Sequence, residues 1–293
     1  MSAPINKPGV YDISMERYHS QCCDGPSVSS SGLRKIENDS PRHFWWNAVG
    51  LNPKAKPQPY KPHFHLGTAV HAFLFDDVDE IEKIVVRPDE FNDYRSKAAK
   101  AWRADAVESG KTIVTEDLMA DICHMADALS SEPGVAELLT AGDPEKSLIW
   151  RDAETGIWCK SRPDRLPTDG VLADLKTTDC AAPHAIDRTI AKFGYHMQLA
   201  LAGDGFEALD RTPLRDAWFV FVETKPPYCV TVARVADELI EFGRMQCRRA
   251  LRKMADCLKS GDWPSYREGP MTAYGPDWHF KKLQQQFDSG ELS

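Results

Sequence analysis

Apolar positions along the chain alternate between two repeats, and the switches between them mark the elements. Leu118, Ile122, Met125 and Leu129 recur every three to four residues, which predicts a helix from Thr115 to about Ser131. Leu66, Val70, Phe73 and Leu74 share that spacing and predict a second buried helix, with His71 beside its apolar stripe. Ile186, Ile190 and Phe193 mark the buried side of a helix over 183–209, and Ala236 to Leu258 reads as a long amphipathic helix. Elsewhere the repeat shortens. Ser147 to Arg151 and Gly156 to Arg162 read as two strands joined by a turn-rich link at 152–156. Val171 to Leu175 reads as a short strand, Ala217 to Val222 as a central strand, and Tyr228 to Val235 as another after a turn at 225–227. Near the N-terminus, Ser29, Ser30 or Ser31 is placed to cap a helix beginning near Gly32, with Leu33 and Ile36 buried. Ser40-Pro41 opens another helix, and Phe44, Trp45 and Trp46 follow as core anchors. Residues 1–26 read as an irregular lead-in, 52–63 as an exposed loop, 87–112 as a flexible excursion or helical arm, and the chain from Gly269 as a loosely packed tail. The order predicts a mixed α/β fold around a central sheet.

Composition narrows this little. The 293 residues suit one large domain, and 42% hydrophobic with 27% charged residues is ordinary for a globular protein. No run approaches the roughly 18 apolar residues of a membrane span, so no membrane association is expected. Met1-Ser2-Ala3-Pro4 lacks the basic and apolar regions of a signal peptide. Eight cysteines without a dense framework read as reduced thiols of a cytoplasmic protein. A net charge of -8 argues against a protein that coats nucleic acid, but it is compatible with DNA held in a local basic channel. The polar side of the 236–258 helix carries Arg244, Arg248, Arg249, Arg252 and Lys253, read either as a solvated face or as a DNA-backbone or subunit contact.

The candidate chemistry lies at Arg162-Pro163-Asp164 and Asp174-Leu175-Lys176-Thr177-Thr178. Residues two apart on a strand face the same way, so Asp174 and Lys176 point together. If the two strand-like runs form a hairpin, Asp164 and Asp174 lie side by side, and their like charges conflict unless a cation sits between them. Carboxylate oxygens are hard ligands suited to magnesium or manganese, which polarise a phosphodiester and acidify a bound water. Lys176 is placed to orient or deprotonate that water, or to neutralise charge on the phosphate. Tyr195 and Gln198 are three apart on one helix face, with Gln198 placed to position water or DNA. By itself, Asp-x-Lys is equally a common surface ion pair.

Pro163-Asp164 followed by Asp174-Leu175-Lys176 resembles the signature of the PD-(D/E)XK nuclease superfamily. Gly67 to His71 resembles the Gly-x-x-x-His motif of its RecB-like branch, and Tyr195 to Gln198 resembles the Tyr-x-x-Gln helix motif. The stretches from Asp152 to Asp164 and from Asp174 to Thr178 resemble RecE-like nucleases of the exodeoxyribonuclease VIII type. So do Gly9-Val10-Tyr11 and the closing Ala255 to Leu258 with Asp262-Trp263-Pro264, and together the likeness spans 9–265. It implies a PD-(D/E)XK nuclease fold, a central mixed sheet flanked by helices. It implies a single domain over 1–265, with a helical part at about 27–140, a catalytic core at about 145–258, and a tail at 266–293. The implied activity is metal-dependent 5′-to-3′ digestion of linear double-stranded DNA, leaving 3′ single strands for an annealing recombinase. The implied assembly is a homo-oligomeric ring, a tetramer by analogy with RecE or a trimer by analogy with lambda exonuclease, encoded by a phage or prophage. Carried over by position, His71, Asp164, Asp174 and the Leu175 carbonyl would hold Mg²⁺, with Mn²⁺ a substitute. Lys176 would be the catalytic lysine, supported by Gln198 and Tyr195. Arg162, Thr177 and Thr178 are candidates for DNA-backbone contacts. An endonuclease of the same superfamily and a catalytically decayed DNA-binding module are the alternatives. An iron–sulfur cluster is not expected, because Cys22, Cys23, Cys247 and Cys257 lack the close spacing such clusters use.

Overall fold

A computed structural model describes residues 3–55, 66–74, 81–91, 93–267 and 269–292, without the side chains of 66–68 and 71. Most of the predicted loop over 52–63 therefore lies outside the described residues.

The organising element is a three-stranded sheet in the order Val230–Arg234, Asp216–Glu223, Val171–Thr178. The last two strands run parallel, with Phe219 opposite Asp174, and the first pairs antiparallel to the middle one. The middle strand is buried on both faces, as its unbroken apolar run predicts. Alternation divides its side chains. Phe219 and Phe221 pack with Leu172 against the helices Pro183–Phe193, Tyr195–Ala208 and Asp237–Ser260, while Val220 and Val222 pack with Ala173 and Leu175 against Leu66–Leu74, Glu116–Ser131 and Val135–Thr140. The outcome is a helix–sheet–helix layering. A second, four-stranded mixed sheet orders Gly9–Tyr11, Ser147–Arg151, Trp158–Ser161 and Ser27–Ser29. Its Trp150 ring lies against Gly205, where an added Cβ would come to 2.8 Å from the ring.

Local signals explain most boundaries. Thr115 Oγ1 accepts from the Leu118 N–H at 3.2 Å to start the Glu116–Ser131 helix, whose Ile122, Met125 and Leu129 are buried. Ser40 accepts from the His43 N–H at 3.4 Å, with Pro41 at the first helical position. Several expectations are corrected. The predicted helix over 183–209 is two helices, broken at Gly194 with φ 63°, a left-handed conformation that glycine takes at little cost. The lead-in is structured, since Gly9–Tyr11 pairs with Ser147–Arg151 and Met15–His19 is helical. Over 87–112 the helical alternative holds, since the Lys97–Glu108 helix, which Ser96 caps, lies between the parallel strands Ile84–Val86 and Thr112–Val114. Trp46 is exposed rather than anchored. The tail contains a helix, Asp277–Asp288, with no buried residue.

The basic side of the Asp237–Ser260 helix is committed inside the chain. Arg244 pairs with Asp204 and Glu207, Arg248 with Asp152, Arg252 with Glu154, and Arg249 and Lys253 both with Glu37. The face is solvated in part, with Arg249 and Arg252 exposed, and its ion pairs also make it a seam that fastens the closing helix to the core. Glu37 is the most enclosed of these acids, with a side chain 4% exposed. Burial pushes its pKa up, but the hydrogen bonds and charges of Arg249 and Lys253 outweigh that and hold it below the usual value. A depressed carboxyl stabilises the fold above its unfolded pKa and loses that contribution as pH falls through the folded value. Glu37→Gln is therefore expected to cost about 1–3 kcal/mol in urea unfolding near neutral pH, and the gap to the parent should close below about pH 4. A gap that stays constant down to low pH would show that charge pairing at Glu37 is not what fastens the helix.

Candidate active site

Asp174 sits mid-strand on the face that meets the Tyr195–Ala208 helix, and it is 3% exposed. A carboxylate so placed needs partners. Gln198 Nε2 donates to Asp174 Oδ1 at 2.7 Å, and the Lys176 ammonium pairs with Asp174 Oδ2. Lys176 also donates to Gln198 Oε1 at 3.4 Å, closing a three-residue ring of contacts. Its Nζ lies 4.7 Å from the centroid of the Tyr195 ring, a cation–π geometry. The strand supplies Asp174 and Lys176 at i and i+2. The first turn after the Gly194 break supplies Tyr195 and Gln198 at i and i+3. The bend that ends one helix therefore aims the next one at the strand.

Asp164 reaches the site by a different route from the one its sequence suggests. The strand before it, Trp158–Ser161, belongs to the four-stranded sheet, so no hairpin joins it to Val171–Thr178. Asp164 lies in the link that follows, and its Oδ2 accepts from the backbone N–H of Leu175 at 3.4 Å. Val171–Thr178 is an edge strand, which leaves one row of its backbone groups open for this contact. N–H and C=O of one strand residue share an edge, so the Leu175 carbonyl shares the Asp164 side. Burial and the neighbouring Asp174 charge push the Asp164 carboxyl up to about 7. For Lys176, burial lowers the pKa, but Asp174 and Asp164 more than compensate and hold the ammonium above its ordinary value.

Other sequence candidates fall in different places. Arg162 is taken up by the chain itself: it donates to Glu145 at 2.7 Å, to the Ile13 carbonyl at 2.6 Å and to Ser147 Oγ at 3.1 Å. It braces the loop before Asp164, and it also lines the cavity beside Asp174 and Gln198. Thr178 bonds to Cys180 and shapes the turn after the strand, while Thr177 is half-buried on the opposite face from Lys176. His71 lies on the Leu66–Leu74 helix, and its side chain is outside the described residues. A cavity of about 220 Å³ opens beside Asp174 and Gln198, with Ser29, Ser30, Ser31 and Arg34 in its wall. Arg34 was not singled out from sequence. Nothing local marks it, and only the tertiary fold brings it to within 5.9 Å of the Tyr195 ring centroid.

Among the described residues no group of three or more His, Cys, Asp and Glu side chains gathers into a cage. The donor set at hand is two carboxylates and an edge carbonyl. These are hard oxygens, and one of the carboxylates is raised by the other's charge. That set fits a small divalent cation that keeps several of its own waters, as Mg²⁺ does.

A helix–sheet–helix core with Asp174 and Lys176 on an edge strand, Asp164 against the open edge of that strand, and Gln198 on the facing helix has the arrangement of a PD-(D/E)XK-type nuclease centre. Residues 29–270 match the family model described as a PDDEXK-like domain of unknown function (DUF3799), and the chain belongs to that family. The fold is similar to that of a Eubacterium rectale protein described as "Putative exonuclease", with a TM-score of 0.57, 12% identity, and 91% of this chain and 96% of that one covered. The structure of SSO0001 aligns with a TM-score of 0.28 at 13% identity, covering 66% of this chain and 84% of that one. No curated protein matches the sequence.

The raised Asp164 carboxyl yields a prediction with a definite sign. A carboxyl whose folded pKa lies above its unfolded value removes stability as pH rises from one value to the other, here from 3.8 to about 7. Asp164→Asn keeps an acceptor for the Leu175 N–H. It is expected to raise the Tm of the metal-free protein by at least ~2 °C at about pH 8 and to change it little at about pH 4. Equal melting temperatures for the two proteins at the higher pH would refute a strained Asp164.

Proposed function

We propose that this protein is a divalent-metal-dependent exodeoxyribonuclease that digests linear double-stranded DNA from 5′ ends. It leaves 3′ single strands for a single-strand annealing recombinase. The observation that carries the reading is the closed set Asp174–Lys176–Gln198, with Tyr195 under the ammonium and Asp164 across the strand edge. The similarity to the Eubacterium rectale structure described as "Putative exonuclease" supports the exonuclease class. The likeness to RecE-like nucleases supports the polarity, the bacterial cytoplasmic and phage or prophage setting, and a homo-oligomeric ring, with a tetramer favoured over a trimer.

In this reading Asp164, Asp174, the Leu175 carbonyl and His71 hold Mg²⁺, with Mn²⁺ as substitute. When bound, the ion polarises the scissile phosphodiester and acidifies a coordinated water. The chain's own groups do the rest. Gln198 holds Asp174 in one rotamer through its amide N–H, so the ligand geometry is set in advance. Lys176 stays protonated between the two carboxylates and stabilises negative charge that develops on the phosphate oxygens. The Tyr195 ring backs the ammonium and fixes its position. Thr177, at the far end of the same strand, remains a candidate for a backbone contact.

The test is an end-labelled linear duplex, with and without Mg²⁺, beside a covalently closed circle. Digestion of the linear form alone, from 5′ ends and only with metal, is expected. Asp174→Ala and Lys176→Ala should each lower kcat at least ~100-fold, and Gln198→Ala about 10- to 100-fold. Cutting of the closed circle would make the protein an endonuclease of the same superfamily. Full activity in the Asp174 and Lys176 variants would remove the site assignment altogether.

A further inference from the structure

The Pro183–Phe193 helix buries Ile186 and Ile190, as its stripe predicts, but the third position of that stripe, Phe193, is 45% exposed. This large apolar ring is not loosely held. It stacks on the Tyr195 ring with centroids 5.4 Å apart and planes 21° apart, and its backbone carbonyl accepts from Arg34 Nη1 at 2.8 Å. Tyr195 in turn lies 4.7 Å from Lys176 Nζ. Two parallel rings therefore lead outward from the catalytic ammonium to solvent. Lys192 stands over Phe193 with its Nζ 5.1 Å from the centroid. An exposed ring beside a flexible cation, stacked in series with the active site, has the composition of a single-strand nucleic-acid platform.

We propose that Phe193 is the outer plate of a stacking subsite. It takes the face of an unpaired nucleobase next to the scissile phosphodiester, while Lys192 turns from the ring to the neighbouring phosphate. The proposal rests on the nuclease reading above and deepens it. A base inside a duplex hides both faces against its neighbours, so the subsite accepts a base only once it has left the stack at a strand end. It has no sequence preference, since every base offers a π-face. Phe193 touches substrate in this scheme. The structural alternative is that it only supports the Tyr195 ring.

Steady-state digestion of linear duplex by the full chain separates the two. Phe193→Ala is expected to raise KM about tenfold or more with kcat within about twofold, and Phe193→Trp to restore the parental KM. In parallel, 5-iododeoxyuridine at the terminal 5′ nucleotide should photo-crosslink to the peptide containing Phe193. The same base placed well inside the duplex should not, nor should the alanine variant crosslink. A fall in kcat at unchanged KM would reduce Phe193 to a support for Tyr195 and overturn the subsite. So would an unchanged KM with crosslinking that survives the substitution. A parent protein that neither digests nor crosslinks DNA would instead overturn the nuclease reading, and this inference with it.

Discussion

Asp174 is a carboxylate in the middle of a buried strand, and a charge in that position is tolerated only with partners in place. Its two oxygens are answered by Lys176 on its own strand and Gln198 on the facing helix. Those partners require the parallel pairing that buries the strand, and the Gly194 break that starts the next helix where its first turn faces Asp174. The long closing helix in turn packs against Tyr195–Ala208 so closely that a Cβ at Gly243 would come to 2.9 Å from the His196 carbonyl. The acids of the seam hold that closing helix down. The chain of dependence runs from surface ion pairs, through two packed helices, to the orientation of one amide side chain.

Asp164 adds the tension in the site. It joins through the open edge of the same strand, where a row of backbone groups is left unpaired by the sheet. Two carboxylates and one ammonium leave a net negative charge in a desolvated place. The protein relieves it in part by raising the Asp164 pKa. A proton and a divalent cation are alternative answers to the same excess charge, and two hard carboxylates with an edge carbonyl suit a hard ion.

The helices and strands were readable wherever periodicity was strong, as at Leu118 to Leu129 and Ala217 to Val222. The Asp174–Lys176 pair and the Tyr195–Gln198 pair followed from i, i+2 and i, i+3 spacing, because both relations are local. Three things were not local. A hairpin was a reasonable way to bring Asp164 to Asp174, but strand partners are set by long-range packing, and the two runs went to different sheets. Arg162 looked like a free cation beside the site, yet Glu145, Ile13 and Ser147 converge on it from distant positions. The arginines of the closing helix looked solvated or available to DNA, and their acidic partners lie up to 212 residues away in sequence. Sequence shows where charges are, while pairing across the fold decides which remain available.

That distinction changes what the net charge of -8 means for a DNA substrate. The most basic helix contributes little outward field, because its cations are matched by acids at contact distance. In the proposed reading, Arg34 and Lys192 beside the aromatic pair supply attraction to the phosphate backbone at the site. Few phosphate contacts give a shallow dependence of affinity on salt, and each one weighs heavily. In the proposed reading the grip on DNA is concentrated at the site, where an end brings an unpaired base and a phosphate to the rings and the ammonium together.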